Sequence, residues 1–132
     1  MSPSDYPERL DLRCGPVTAV DLALFAAASG DHNPLHLDLE AARAAGFDRP
    51  LVHGMLTMAY AARLFTRAFG AGSVRHLATR FTGAAKLGDT VVLSATLSGT
   101  EGGVGHYDLH ARTAPGDELM SGTARVAGGP PQ

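Results

Sequence analysis

Asp31 and His36 stand five residues apart in the run Ser29-Gly30-Asp31-His32-Asn33-Pro34-Leu35-His36, a carboxylate and an imidazole on either side of an Asn-Pro turn. About seventeen residues further on, His53-Gly54-Met55 opens a long apolar stretch that reads as a helix. A carboxylate and an imidazole can hand a proton between them near neutral pH. Unpaired N–H groups at a helix start, with the helix dipole behind them, suit a carbonyl oxygen that is gaining charge. Together these are the parts for moving a proton beside a carbonyl. Each part also has a simpler reading. Asp31 could be a turn former, His36 a hydrogen-bonded structural histidine, Asn33 the cap of a turn begun by Pro34, and Gly54 a packing glycine.

The elements that must position these residues follow from two periodicities. Up to about Phe69 the pattern is helical, and beyond about Val74 it alternates. Leu10 to Cys14 makes a short first strand. Thr18-Ala19-Val20-Asp21 fits a capping box that opens a helix running through Leu24 and Phe25 to Ala28, with Gly30 placed to end it. Pro34 keeps Ser29 to Asn33 a turn. Asp38 can cap a second short helix through Ala41, Ala42 and Ala45, stopped by Gly46. After Pro50 a third helix is expected over about Val52 to Phe69. It is apolar on nearly every side from Leu56 to Ala62, so it must be enclosed. The enclosure is expected from alternating strands: Leu77-Thr79-Phe81, Val91 to Leu97, Tyr107 to Thr113 and Met120 to Val126, each with one apolar face. The expected architecture is α+β, a curved antiparallel sheet wrapped around one long central helix.

Bulk properties bound the function classes. The chain has 132 residues, 45% hydrophobic and 18% charged, which suits one domain over residues 10–127 after a lead-in of residues 1–9, with a frayed tail of residues 128–132. A net charge of −2 with scattered basic residues gives no footprint for nucleic acid or an anionic membrane surface. No basic leader precedes an apolar run, and the longest uncharged apolar stretch is too short to span a bilayer, so a cytoplasmic protein is expected. Cys14 is alone and reads as a small core residue. His32 and His36 have the four-residue spacing of two ligands on a helix, but Pro34 spoils that helix, and no metal is expected. His106 and His110, flanking Asp108, lie on the polar face of their strand.

The run Phe25 to Ala42 resembles the hydratase signature of the MaoC-like enoyl-CoA hydratases, and Phe47-Asp48-Arg49-Pro50-Leu51-Val52-His53-Gly54-Met55 resembles the segment that follows it in those proteins. The likeness spans about residues 10–127. It implies a hotdog fold, pairing of two hotdogs with their sheets joined edge to edge, and reversible hydration of a trans-2-enoyl thioester to the (R)-3-hydroxyacyl thioester. It also implies roles. Asp31 would be the general base, His36 its partner on the catalytic water, and the Gly54 N–H the oxyanion donor. Asn33, His53 and Met55 would position substrate, and Tyr60 and Phe65 would line the acyl tunnel. No cofactor is implied, the CoA thioester being the substrate. The partner would be a second copy or a related subunit. A dehydratase acting on acyl-carrier-protein thioesters is the alternative, followed by a thioesterase and by a non-catalytic acyl-thioester binding protein. The chain departs from many relatives at Gly83 to Leu87, where they carry a proline and a bulky residue, and at Tyr60-Ala61-Ala62, where some carry a serine.

Overall fold

The computed structural model describes residues 5–128, so the tail from Gly129 and the first four residues of the lead-in lie outside the described residues. Strand β1 (Arg9–Cys14) leads into helix α1 (Ala19–Ser29). The capping box is present: Asp21 N–H donates to the Thr18 hydroxyl at 3.1 Å, and Thr18 N–H donates to the Asp21 carboxylate at 2.9 Å. Gly30, at φ 78°, closes the helix with its N–H on the Ala26 carbonyl. A short 3₁₀ turn (Pro34–His36) and helix α2 (Leu39–Ala44) follow, capped by the Asn33 and Asp38 side chains respectively.

The central helix α3 spans Gly54–Phe69, beginning two residues later than the sequence suggested. Leu51 and Val52 are extended instead, because they pair with a loop distant in sequence. Leu51 bridges Lys86, and Val52 N–H donates to the Ala85 carbonyl at 2.8 Å.

The remaining strands are β2 (Val74–Phe81), β3 (Val91–Glu101), β4 (Val104–Thr113) and β5 (Glu118–Ala127), joined with β1 into one five-stranded antiparallel sheet ordered β1-β3-β4-β5-β2. The hairpins β3-β4 and β4-β5 are the expected meander. Strand β2 lies on the far edge against β5, so the 82–90 connection must travel back across the fold to reach β3. Helix α3 touches all five strands. The inward residues Leu93, Leu109, Ala111, Met120 and Val126 are fully buried against it. This is the sheet-wrapped helix expected from the two periodicities.

Phe65 sits at the centre, 0% exposed, with its ring 5.5 Å from that of Tyr107. Phe65→Ala is expected to cost about 3–5 kcal/mol, read as a lower midpoint in thermal or denaturant unfolding. One expectation of enclosure is not met among the described residues. Met55 is 58% exposed and Phe81 46% exposed, and Met58 and Ala62 are only half-buried. The face of α3 that looks toward edge strand β2 is left uncovered, because β2 stops at the sheet's margin.

Candidate active site

Segment 50–53, just ahead of α3, organises the site. Leu51 clamps the 3₁₀ turn through both of its backbone polar groups. Its N–H donates to the Leu35 carbonyl at 2.9 Å, and its carbonyl accepts from His36 Nδ1 at 2.8 Å. A carbonyl can only accept, so His36 Nδ1 carries the proton and Nε2 is the free position of the neutral ring. Nε2 points to Asp31, whose Oδ2 lies 3.7 Å away. That separation exceeds a direct hydrogen bond and leaves room for one oxygen, about 2.8 Å from each group, to bridge them. The His36 side chain is 14% exposed and that of Asp31 52%, so the imidazole is held firmly and the carboxylate meets solvent.

The Asp31 turn is built from its own neighbours. Asp31 N–H donates to the Ser29 hydroxyl at 3.2 Å, and the Asp31 carboxylate accepts from Asn33 N–H at 3.3 Å. Asn33 spends its carbonyl oxygen on Leu35 N–H at 3.1 Å. Its capping reading therefore holds, whatever else its amide nitrogen does.

His53 is 1% exposed, and its ring stacks on that of His36 with centroids 3.8 Å apart and planes at 21°. His53 Nε2 donates to the Asp31 backbone carbonyl at 3.1 Å, while the buried Nδ1 has no hydrogen-bond partner among the described residues. Burial pushes the His53 pKa below its ordinary value; the bond to Asp31 opposes this and the charge of His36 reinforces it. Gly54 follows directly as the first residue of α3, so its N–H and that of Met55 have no acceptor within the helix. A Cβ at Gly54 would stand 3.3 Å from the Phe81 ring, which makes this an approach that glycine eases.

Thus Asp31 and His36 from one stretch of sequence, and His53 and the Gly54 N–H from another, are brought together. Met55 lies beside them on the exposed side. Tyr60 and Phe65 do not join them: they are 6% and 0% exposed and belong to the core. Leu51, whose carbonyl fixes the His36 tautomer, was not legible as a site residue, because backbone acceptors leave no trace in side-chain patterns.

Two apolar spaces flank this cluster. A cavity of about 710 Å³ between α1, the 3₁₀ turn, α2 and Leu87 has His36 in its wall. A shallower groove of about 430 Å³ runs over Phe25, Met55, Met58, Ala59, Ala62 and Leu77. Asp31, His36 and His53 also offer donor atoms within 4.8 Å of one another. His32 is not in that group. An ion there would have to take the sealed Nδ1 of His53 or break its bond to Asp31, whereas proton chemistry uses the groups as they stand.

The sequence matches the model of the MaoC-like domain over residues 8–113. It is 35% identical over 97 residues to a peroxisomal enoyl-CoA hydratase 2 of Arabidopsis thaliana, an alignment covering 70% of this chain and 31% of the relative. It is 38% identical over 104 residues to the 3-hydroxyacyl-thioester dehydratase Y of Mycobacterium tuberculosis, covering 75% of this chain and 35% of the relative. The chain thus spans about a third of the length of these curated relatives. Among solved structures, an (R)-hydratase from A. caviae involved in PHA biosynthesis superposes with a TM-score of 0.84 at 28% identity, covering 91% of this chain and 93% of that one. No helix among the described residues is long and apolar enough to cross a membrane.

Proposed function

The chain belongs to the MaoC-like domain family, a hotdog-fold family with hydratases and dehydratases among its named members, and from that premise we propose that it is a lyase adding water reversibly to a trans-2-enoyl thioester to give the (R)-3-hydroxyacyl thioester. The observation that carries this reading is the Asp31 carboxylate facing His36 Nε2 across 3.7 Å, beside the open amino end of α3.

In this reading a water bridges Asp31 and His36. Asp31 takes a proton as the water oxygen bonds to C3, and the C2–C3 double bond becomes a C3–O bond and an enolate-like thioester. Negative charge gathers on the thioester oxygen, where the Gly54 N–H meets it. The proton then reaches C2 from the dyad, through His36, and the addition is complete. The reverse path is dehydration by the same groups. Asn33 fixes the turn that aims Asp31, and Met55 borders the bound thioester. The cavity walled by His36 has room for an acyl chain, since a methylene takes about the space of a water, roughly 30 Å³. The chain's own groups suffice for the reaction, with a CoA or carrier-protein thioester as substrate and no resident cofactor.

Helix α3 carries no carboxylate, which disfavours hydrolysis by a central-helix acid. The uncovered apolar groove over Met55 and Ala59 suits burial against a second copy of the chain or a related subunit.

The test is loss of enoyl-thioester absorbance when purified protein meets trans-2-enoyl substrates on CoA and on acyl-carrier protein. His36→Gln is expected to lower kcat by roughly 10²–10⁴-fold. Absence of any loss on both carriers, from folded protein with its oligomeric state established, would overturn the assignment.

A further inference from the structure

We propose that His53 is a positioning residue that holds both members of the dyad, Asp31 through its backbone and His36 through its ring, without itself touching substrate. The inference rests on the hydratase reading for its kinetic consequences, but its structural content stands apart from that reading.

Three features carry it. First, His53 is 1% exposed, so a ligand in either flanking space meets other side chains before it meets this imidazole. Second, each dyad member has its own contact with His53. The Nε2–H donates to the Asp31 carbonyl at 3.1 Å, fixing the peptide on which the carboxylate is mounted, and the ring face lies 3.8 Å from that of His36. Phe25 of α1 closes on the ring with its centroid 5.0 Å away. The imidazole is therefore gripped on more than one side, and what it grips cannot swing. Third, the tautomer is dictated. A carbonyl acceptor demands the proton on Nε2, which leaves Nδ1 a bare lone pair, buried and without a donor among the described residues.

That third feature separates positioning from stability. A buried acceptor without a partner is a penalty on the fold. The bond to the Asp31 carbonyl is only part-buried, so water can take the donor's place if the imidazole is lost. An apolar ring at position 53 would remove the penalty and retain the stack, yet release the Asp31 peptide. For a residue kept for packing, the same replacement would be nearly silent in turnover. For a residue kept to aim Asp31, it should lower turnover in a protein that folds as well as before.

The experiment compares His53→Phe, which keeps an aromatic face and loses the donor, with His53→Gln, which keeps a donor and loses the ring. Unfolding midpoints, kcat and KM are measured for each, and the imidazole nitrogens are observed by NMR at pH 7. His53→Phe is expected to keep or raise the unfolding midpoint. Its kcat should fall about 10- to 100-fold, as for a catalytic group displaced by an ångström or less, with KM within about twofold. His53→Gln should recover part of that loss. In the wild type, His53 should appear as the neutral Nε2–H tautomer, and the His36 signals should move in both variants. Unchanged kcat in His53→Phe would overturn the proposal, as would an Nδ1–H tautomer at His53 or His36 signals indifferent to both variants. If the wild type turns over no enoyl thioester, the hydratase reading fails on its own, and the NMR comparison still decides whether His53 holds the dyad.

Discussion

Asp31→Asn is expected to lower kcat by about 10³-fold while leaving the fold intact. The substitution keeps the shape of the side chain and an oxygen that can still accept from Asn33 N–H, the 3.3 Å contact that shapes the turn. The bond from Asp31 N–H to the Ser29 hydroxyl and the bond from His53 Nε2 to the Asp31 carbonyl use the backbone of residue 31 and are untouched. Only the capacity to take a proton is removed. An amide opposite His36 Nε2 can hold a water but cannot activate it. KM should therefore change little and the unfolding midpoint hardly at all, because the side chain is half exposed. Steady-state kinetics beside thermal unfolding checks both halves. A variant that retained kcat would show that Asp31 only forms the turn.

Gly54→Pro is the second large effect, and it isolates a single hydrogen atom. Proline is well accepted as the first residue of a helix, where its missing N–H has no intrahelical acceptor to lose. The residue ahead of a proline must be extended, and His53 already is, at φ −55° and ψ 132°. The backbone can therefore take the substitution while losing the proposed oxyanion donor. The expected loss is about 10²–10³-fold in kcat. Gly54→Ala is the steric control. Its Cβ meets the edge of the half-exposed Phe81 ring at 3.3 Å, contact that a small ring movement relieves, and it keeps the N–H. Gly54→Ala should therefore retain most of the activity that Gly54→Pro loses. Equal losses in the two variants would assign Gly54 to close packing alone.

Much of this architecture could be read from local signals. Thr18 with Asp21, Gly30, Asn33 before Pro34, and Asp38 each act within a few residues, and each forms the cap or stop its chemistry suggests. Strand alternation marked the inward faces of β3, β4 and β5, because each has a neighbour on both sides and the helix beneath. The same rule was weaker for β2: Phe81 falls on the expected inner face but is 46% exposed, since at the sheet's edge only the start of α3 at Gly54 comes against its ring and the described residues leave the rest open. The start of α3 was misplaced for a related reason. Leu51 and Val52 are apolar and helix-compatible in isolation, and only their pairing with Lys86 and Ala85 holds them extended.

The site divides along similar lines. Asp31, His36 and Gly54 were visible because their side-chain chemistry and spacing are unusual on any reading. The part His53 plays was not, because its stacking on His36 joins residues seventeen apart and the fold must bury it first. The aromatic residues of α3 stand apart from this cluster. Tyr60 and Phe65, the residues expected along an acyl tunnel, are buried in the core, Phe65 with its ring against Tyr107 of β4 and Tyr60 beneath the Arg63 guanidinium.

The most direct test of the account is the fate of solvent oxygen. Purified protein is incubated with a trans-2-enoyl-CoA in ¹⁸O-labelled water, and the product is analysed by chiral chromatography and mass spectrometry. The expected result is an intact thioester bearing labelled oxygen at C3 in the (R) configuration, absent from the Asp31→Asn reaction. Label in a free carboxylic acid instead, with thiol released, would mean that water attacks C1 rather than C3, and the hydratase account would be wrong.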